Sequence, residues 1–482
     1  LRYNIRTNRI GDAAGRHNHV HWPRLAGTKT VDTRASLPVA GHLGHASNCL
    51  QVVHRSVAGV ERAVANGRGI AHPSAKHAFR LRAMKQHSDE EPLLTEITPH
   101  NFLSFGPEAQ AIPLRKLNIL IGPNGSGKSN LIDAISLLRA APNDEPPKDV
   151  RSVVSLGGGV REWIWKGAPK QPASVSVVFA YPRGPQPIRH MLEFRAEDQA
   201  FRLTDEKIEH EKPHGDQLRP YFFYHFESGR PVVNIKGKSR KLQRENIEPD
   251  VSILAQRRDP EQYPEITYIS DRYGRIRIYR EWAFGRNTIF REPQRADLRT
   301  DRLEEDFSNI GLFLNRLRRH PQTKQVILTY LRDIYEGVDD FDVSIEGGTV
   351  QVFFTEGRFT VPATRLSDGT LRFLCLLAIL CDPSPPPLVC IEEPELGLHP
   401  DILPKIADLL LEASERMQLL VTTHSDILVD ALSETPESVL VCEKRDGITS
   451  VERLDADRIR PWLDRYRLGE LWLKGEVGGT RW

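Results

Sequence analysis

The sequence predicts an α/β fold, a largely parallel sheet with crossover helices, interrupted by a long inserted lobe of mixed α and β structure. Three observations carry this. The stretch "NILIGPNGSGKSNLIDAI" at 118–135 reads as strand, glycine-rich loop and helix. From about 370 onward a helix, the strand "LVCIEE", the helix "PDILPKIADLLLEASE", the strand "QLLVTTH" and a further helix alternate, as parallel strands joined by helices do. Between them, Gly/Pro-punctuated strand-like pieces such as "ASVSVVFAYP" and "HMLEFRAEDQAFRL" break that rhythm.

Taken in order, residues 1–83 differ from everything after them. They hold 13 Lys/Arg against three acidic residues (Asp12, Asp32, Glu61) and carry +10, while the rest of the chain carries −8 within a total of +2. No apolar period of 3.6 or 2 is sustained there. The segment is read as a disordered or upstream extension, the first methionine being Met84. A functional basic tail and an acid-poor organelle transit peptide are the alternatives. Residues 84–141 open the folded part: "LLTEITPHNFLSFG" and "IPLRKLNILIG" read as strands entering the core, and "LIDAISLLRAA" as a helix with Leu131, Ile132, Ile135 and Leu138 at helical spacing. Residues 142–362 form the inserted lobe. Helices are expected in it over "DRLEEDFSNIGLFLNRLRRH" and "QVILTYLRDIYEG", and no heptad run encodes a coiled-coil arm. Residues 363–450 resume the sheet. Residues 451–482 form a tail whose ending "LGELWLKGEVGGTRW" either docks a partner or, the preferred reading, packs back on its own domain.

The apolar content of 39% suits ordinary globular cores. The longest apolar run, "LCLLAILC" at 374–381, falls far short of the roughly 18–20 residues of a membrane span. Cys49, Cys375, Cys381, Cys390 and Cys442 lack C-x-x-C spacing and are read as buried free thiols of a reducing cytosol.

Four motifs carry chemistry. Gly122, Pro123, Asn124, Gly125, Ser126, Gly127, Lys128 and Ser129 fit G-x-x-x-x-G-K-[ST], with Asn130 following. Glycines let the backbone wrap a polyphosphate, Lys128 can reach the β and γ phosphates, and the Ser129 hydroxyl can ligate Mg²⁺. The apolar strand before "EEPELGLHP" ends in Glu392 and Glu393. The first is placed to hold Mg²⁺ and the second to orient or deprotonate an attacking water; an exposed acidic turn is the bland alternative. His424 closes the strand of "LLVTTHSDIL", where a structural role competes with contact to the γ-phosphate or the water. Ser367, Asp368 and Gly369 in "TRLSDGTLRFL" open an apolar helix, as an ordinary N-cap or as an anion contact.

In this order the four motifs resemble the ABC-type ATPases, in particular the soluble SMC/RecF-like AAA ATPases (AAA_21), over about 95–140 and 360–432. The resemblance implies a P-loop NTPase head of ABC type. Gly122–Ser129 match the Walker A loop, Leu366–Thr370 the signature usually written LSGGQ, Leu388–Glu393 Walker B, Pro394–His399 the D-loop and His424 the switch histidine. It implies ATP and Mg²⁺ as cofactors and hydrolysis stimulated by DNA or a partner, which the departures given below are expected to make slow. It also implies a homodimer in which two heads sandwich ATP, so that Ser367, Asp368 and Gly369 act in trans. Glu392 departs from the usual Asp, Asp368 and Thr370 depart from Gly and Gln, and no Q-loop glutamine is identifiable, Gln171 being the sole Gln between 130 and 185.

The client is less legible. Basic clusters at Lys236, Lys238, Arg240, Lys241 and Arg244, at Arg272, Arg275, Arg277 and Arg280, and at Arg316, Arg318 and Arg319 suit phosphate contact or a solvated surface. Tyr221, Phe222, Phe223, Tyr224, Phe226, Tyr273, Tyr279 and Trp282 suit lobe core better than base stacking. The leading expectation is a cytoplasmic, ATP-controlled dimer acting on DNA in repair, maintenance or anti-phage defence. A second is the ATPase half of a two-protein system resembling OLD-type ATPase–nucleases, with a separately encoded nuclease. A transporter ATPase subunit, with its membrane partner, is disfavoured.

Overall fold

The computed structural model describes residues 92–479 apart from 109, 216, 228–229, 236–237, 242–246, 249 and 287, all within one unit, residues 72–482. The expectations for residues 1–83, Met84 and Cys49 therefore lie outside the described residues, as do Lys236, Arg244 and the side chains of 238–241. In chain order the strands are β1 (Leu94–His100), β2 (Ile112–Pro113), β3 (Leu117–Ile121), β4 (Ala173–Phe179), β5 (Ile188–Glu197), β6 (Ala200–His210), β7 (Phe222–Glu227), β8 (Arg230–Ile235) and β9 (Lys238–Lys241). They continue with β10 (Arg277–Tyr279), β11 (Gln294–Arg295), β12 (Asp340–Glu346), β13 (Thr349–Glu356), β14 (Phe359–Pro362), β15 (Leu388–Glu392), β16 (Gln418–Thr422), β17 (Val439–Arg445) and β18 (Ile448–Arg453).

The expected parallel sheet is present, ordered β10-β15-β16-β3-β17-β18, with only β18 antiparallel. Its strands are apolar runs because helices and a second sheet cover both faces. The two-residue period still sorts their side chains. Ile119 and Ile121, Val389 and Ile391, Leu419 and Val421 face one core with the helices Asp368–Leu380 and Leu403–Ser414. Leu120, Cys390, Leu420 and Cys442 face the other, with the helix Lys128–Ala140. Cys375, Cys381, Cys390 and Cys442 are buried free thiols, as expected.

That second core is closed by an eight-stranded antiparallel sheet, β2-β1-β4-β5-β6-β7-β8-β9. Of the strands expected to enter the nucleotide-binding core, only β3 does; β1 and β2 join the antiparallel sheet, β1 pairing with β4 across the phosphate loop and its helix. Residues 142–362 contribute to all three sheets: β4–β9 here, β10 at the edge of the parallel sheet, and β11–β14 in a small third sheet. The helix expected over 301–320 is confined to Ile310–Leu317. Asn309 explains this, since its amide accepts from Glu304 N and donates to the carbonyls of Arg299 and Arg302. Those bonds fold the preceding residues into a loop, with Phe307 at φ 61°. A short polar side chain that satisfies local backbone groups competes with the helix.

A fully buried polar network ties the antiparallel sheet to the helices beside it. Glu206 accepts from Ser252 Oγ (2.5 Å) and Ile253 N (2.9 Å) and meets His190 Nε2 at 3.2 Å, while His190 Nδ1 lies 2.8 Å from the Tyr273 hydroxyl. Glu206→Ala would leave three buried groups unsatisfied. It is expected to lower unfolding stability by on the order of 3 kcal/mol in urea titrations, with little effect on chemistry at the distant strand ends.

Candidate functional site

The parallel strands β3, β15 and β16 all end on one side of the sheet, and ligands of such sheets bind beyond those carboxyl ends. Gly122–Gly127 turn there, and three glycines take backbone angles that side chains resist: Gly122 (φ 144°), Gly125 (φ 76°) and Gly127 (φ 102°). A Cβ at Gly122 would stand 2.2 Å from Cys442 O, and one at Gly127 2.3 Å from Thr449 Oγ1. At Gly125 it would meet nothing within 4 Å, so the loop is walled behind and open at its exposed tip, Asn124–Gly125. The wall is the β17–β18 hairpin. Thr449 Oγ1 donates to Ser126 O (2.8 Å) and bonds Ser104 Oγ (2.6 Å), which also accepts from Asn130 Nδ2 (2.6 Å). Asn130 thus braces the loop from behind.

Lys128 opens the following helix and folds back, its Nζ donating to Gly122 O (2.8 Å) and Pro123 O (3.0 Å). Burial holds its pKa below the usual lysine range, against the opposing pull of Glu393, Glu395 and Glu392. A cation so placed, with three carboxylates nearby, sits where a phosphate would be countered. Ser129 is exposed on the first helical turn, near enough to Glu392 for its hydroxyl to oppose the rise in that carboxyl's pKa. One hydroxyl and one carboxylate suit a hard cation that takes its other ligands from phosphates and water, as Mg²⁺ does. No group of three or more His, Cys, Asp or Glu able to hold a metal occurs among the described residues.

Glu393 follows the strand with φ 46°, a left-handed backbone that a non-glycine residue adopts only when its surroundings impose it. Here its N–H is held by Thr422 O (3.0 Å) on the neighbouring strand. The turn carries the Glu393 carboxylate to 3.5 Å from His424 Nε2. Glu395, within the stretch that resembles the D-loop, braces the histidine. Its Oε1 accepts from His424 N (2.7 Å) and Thr423 Oγ1 (2.8 Å), and burial raises its pKa.

The segment 279–291, whose Arg280 had suggested phosphate contact or a solvated surface and whose Tyr279 and Trp282 had suggested lobe core, reaches the Walker A helix, Glu392 and the signature. Arg280, just beyond β10, donates to Asp133 on the Walker A helix (2.8 Å) and stands 3.5 Å from Glu392. Burial raises the Glu392 pKa and Arg280 opposes that rise. Trp282 Nε1 donates to Glu392 O (2.8 Å). Arg372 of the signature helix lies over the Trp282 ring (4.8 Å) and donates to Leu396 O in the D-loop. Burial pushes the Arg372 pKa down to about 10, so it stays charged at neutral pH. Arg291 clamps the signature, donating to Thr364 O (2.5 Å), Leu366 O (2.6 Å) and Asp368 (2.5 Å).

Ser367 caps the signature helix, its Oγ accepting from Thr370 N (3.1 Å). Ser367 and Asp368 are exposed, and Gly369 is so close to the D-loop that a Cβ would lie 3.2 Å from Gly397 O. Gln171 takes no part in this constellation; its carbonyl accepts from Asn101 Nδ2. The tail packs on its own head through residue 479: Trp472 is buried, its Nε1 donates to Gly479 O (2.7 Å), and Gly479 N donates to Glu443 (2.8 Å). No helix among the described residues is long and apolar enough to cross a membrane.

Several solved structures are similar to the chain. An SMC head bound to the C-terminal winged-helix domain of ScpA shares 16% identity at a TM-score of 0.49, covering 76% of this chain and 99% of that one. A Pyrococcus furiosus Smc head with an extended coiled coil, bound to the C-terminal domain of ScpA, shares 14% at 0.44 (77% and 99%). The SMC head domain of Thermotoga maritima shares 15% at 0.39 (75% and 99%). No curated protein matches the chain. The model of the AAA_21 family, described as "AAA domain, putative AbiEii toxin, Type IV TA system", matches residues 117–430. That is more than half of the sequence, and the chain belongs to this family of AAA domains.

Proposed function

We propose that the protein binds and hydrolyses ATP at a composite site formed by two copies, and that the resulting ATP-dependent dimerisation controls an action on DNA. The observation that carries the ATPase reading is the meeting of five residues at one end of the sheet: Lys128 and Ser129, Glu392, and the Glu393–His424 pair. Gly122–Ser129 hold the triphosphate, with Lys128 exchanging its loop carbonyls for phosphate oxygens. Ser129 and Glu392 would hold Mg²⁺, which when bound supplies positive charge against the transferring phosphoryl group. Glu393 accepts the proton of the attacking water, and His424, fixed through its backbone by Glu395, orients that carboxylate. Arg280 keeps two carboxylates, Asp133 and Glu392, compatible in one half-buried site.

The exposure of Ser367 and Asp368 supports action in trans. The signature helix presents its capped N-terminus outward, where a second copy's nucleotide could be met. We assign residues 363–450 with 84–141 to the head that does this, and 142–362 to the lobe that links its motifs. A separately encoded nuclease remains the alternative client. The test is ATP hydrolysis by the purified chain with Mg²⁺, titrated with duplex and single-stranded DNA. Slow basal turnover that rises with DNA is expected. A basal rate indifferent to DNA at every salt concentration would remove the DNA part and leave the ATPase part standing.

A further inference from the structure

The arginine-rich stretch 272–280 is divided by the fold. Arg280 turns to the carboxylates at the site, and Arg277 is buried, donating to Gly274 O (3.1 Å) and Ile276 O (2.6 Å) at the end of the helix Pro264–Arg275. Arg272 and Arg275 stay on the outer face of that helix, three residues apart and so side by side. Two of the three arginines in the other cluster within the described side chains are spent on ion pairs, Arg316 with Asp382 and Arg318 with Asp342, both at 2.8 Å, and Arg319 is exposed.

Three clefts with shared walls follow Arg272 and Arg275 along the end of the parallel sheet opposite the phosphate loop. The first, about 580 Å³, is lined by Lys116, Pro387 and Gln418, which precede or open β3, β15 and β16, and by Arg272. A second, about 240 Å³, joins Arg183, Arg272 and Arg275. The third, about 310 Å³, joins Arg275, Arg277 and Arg302. Seven basic and four acidic side chains line the three together; two of the acids, Asp301 and Asp382, are paired with Arg299 and Arg316 outside them, and one of the bases, Arg302, with Glu304. Among the described residues, Arg183, Arg272 and Arg275 have no carboxylate within ion-pair distance. This excess of positive charge stands on a part of the chain, residues 84–482, whose sum is −8.

We infer that this groove holds the phosphate backbone of a nucleic acid, on the side of the head away from ATP. The inference rests on the DNA reading above and gives it a location. Unpaired guanidinium groups strung along a groove match a polyanion, and such contacts carry no sequence information. The aromatic rings present do not read bases: Tyr181 is buried and stacks edge-on with Tyr268 (5.0 Å), which Arg272 covers (5.1 Å).

The test uses the full chain and the triple variant Arg183→Glu/Arg272→Glu/Arg275→Glu, none of whose positions touches the nucleotide site. Binding of labelled duplex and single-stranded DNA is followed by anisotropy across a salt series, with polyglutamate as a second probe and DNA-free ATPase as the check on folding. The expected result is basal ATPase unchanged, a duplex salt slope shallower by about 3, and affinity lower by roughly 10²-fold or more. Wild-type chain that binds DNA while the variant keeps the same slope and affinity overturns the groove alone. Wild-type chain that binds no DNA overturns the DNA reading and the groove with it. Polyglutamate bound as tightly as DNA, and lost in the variant, overturns the nucleic-acid assignment in favour of an acidic protein.

Discussion

Glu393→Gln is expected to lower kcat by about 10²–10⁴-fold, the usual contribution of a positioned general base, while leaving ATP affinity near wild type. The amide keeps the size of the carboxylate and its place 3.5 Å from His424, but it cannot accept a proton from water. Because ATP then persists, the sandwich it cements should persist too. The variant should elute as a dimer in size-exclusion chromatography with ATP and Mg²⁺, and as wild type without nucleotide. The backbone sharpens this expectation: Glu393 is held at φ 46°, a conformation that favours glycine or asparagine, and such strain concentrates at functional sites. An unchanged turnover in Glu393→Gln would reject it as the base.

Lys128→Ala is expected to act earlier, on binding. Charge-assisted hydrogen bonds contribute roughly 1.5–3 kcal/mol each, so losing the ammonium should weaken ATP by about 10²-fold or more, read with a fluorescent nucleotide analogue. The same change removes the strap that Nζ makes to Gly122 O and Pro123 O. The loop does not depend on it alone, because Thr449, Ser104 and Asn130 hold it from behind. Thermal unfolding without nucleotide should therefore shift little, which separates lost binding from lost structure.

What could be read from the sequence was what lies close together along it. The phosphate loop combines strand, loop and helix in one short stretch, and Glu392, Glu393 and His424 announce themselves at the ends of apolar strands. The roles that escaped it depend on partners from elsewhere in the chain. Arg280 and Trp282 reach Glu392 only because β10 pairs with β15 across more than a hundred residues, and nothing local in "RIYREW" shows that. Glu395 sat in plain view in "EEPEL", yet its partners Thr423 and His424 arrive with β16. The allegiance of β1 was hidden for the same reason: its partner β4 lies beyond the phosphate loop and its helix. The shortened helix at 310–317 is a local miss, since Asn309 was available as a signal that the preceding residues would loop.

The central claim is that the signature of one copy completes the phosphate loop of another. It is tested most directly by mixing two inactive chains, Lys128→Ala, with its signature intact, and Ser367→Arg, with its phosphate loop intact. In a symmetric two-site dimer that exchanges freely, half of the assemblies are mixed and each has one competent site, so mixing should restore about a quarter of wild-type ATPase activity. If each variant is inactive alone and the mixture recovers nothing while mixed dimers form, the signature does not act in trans.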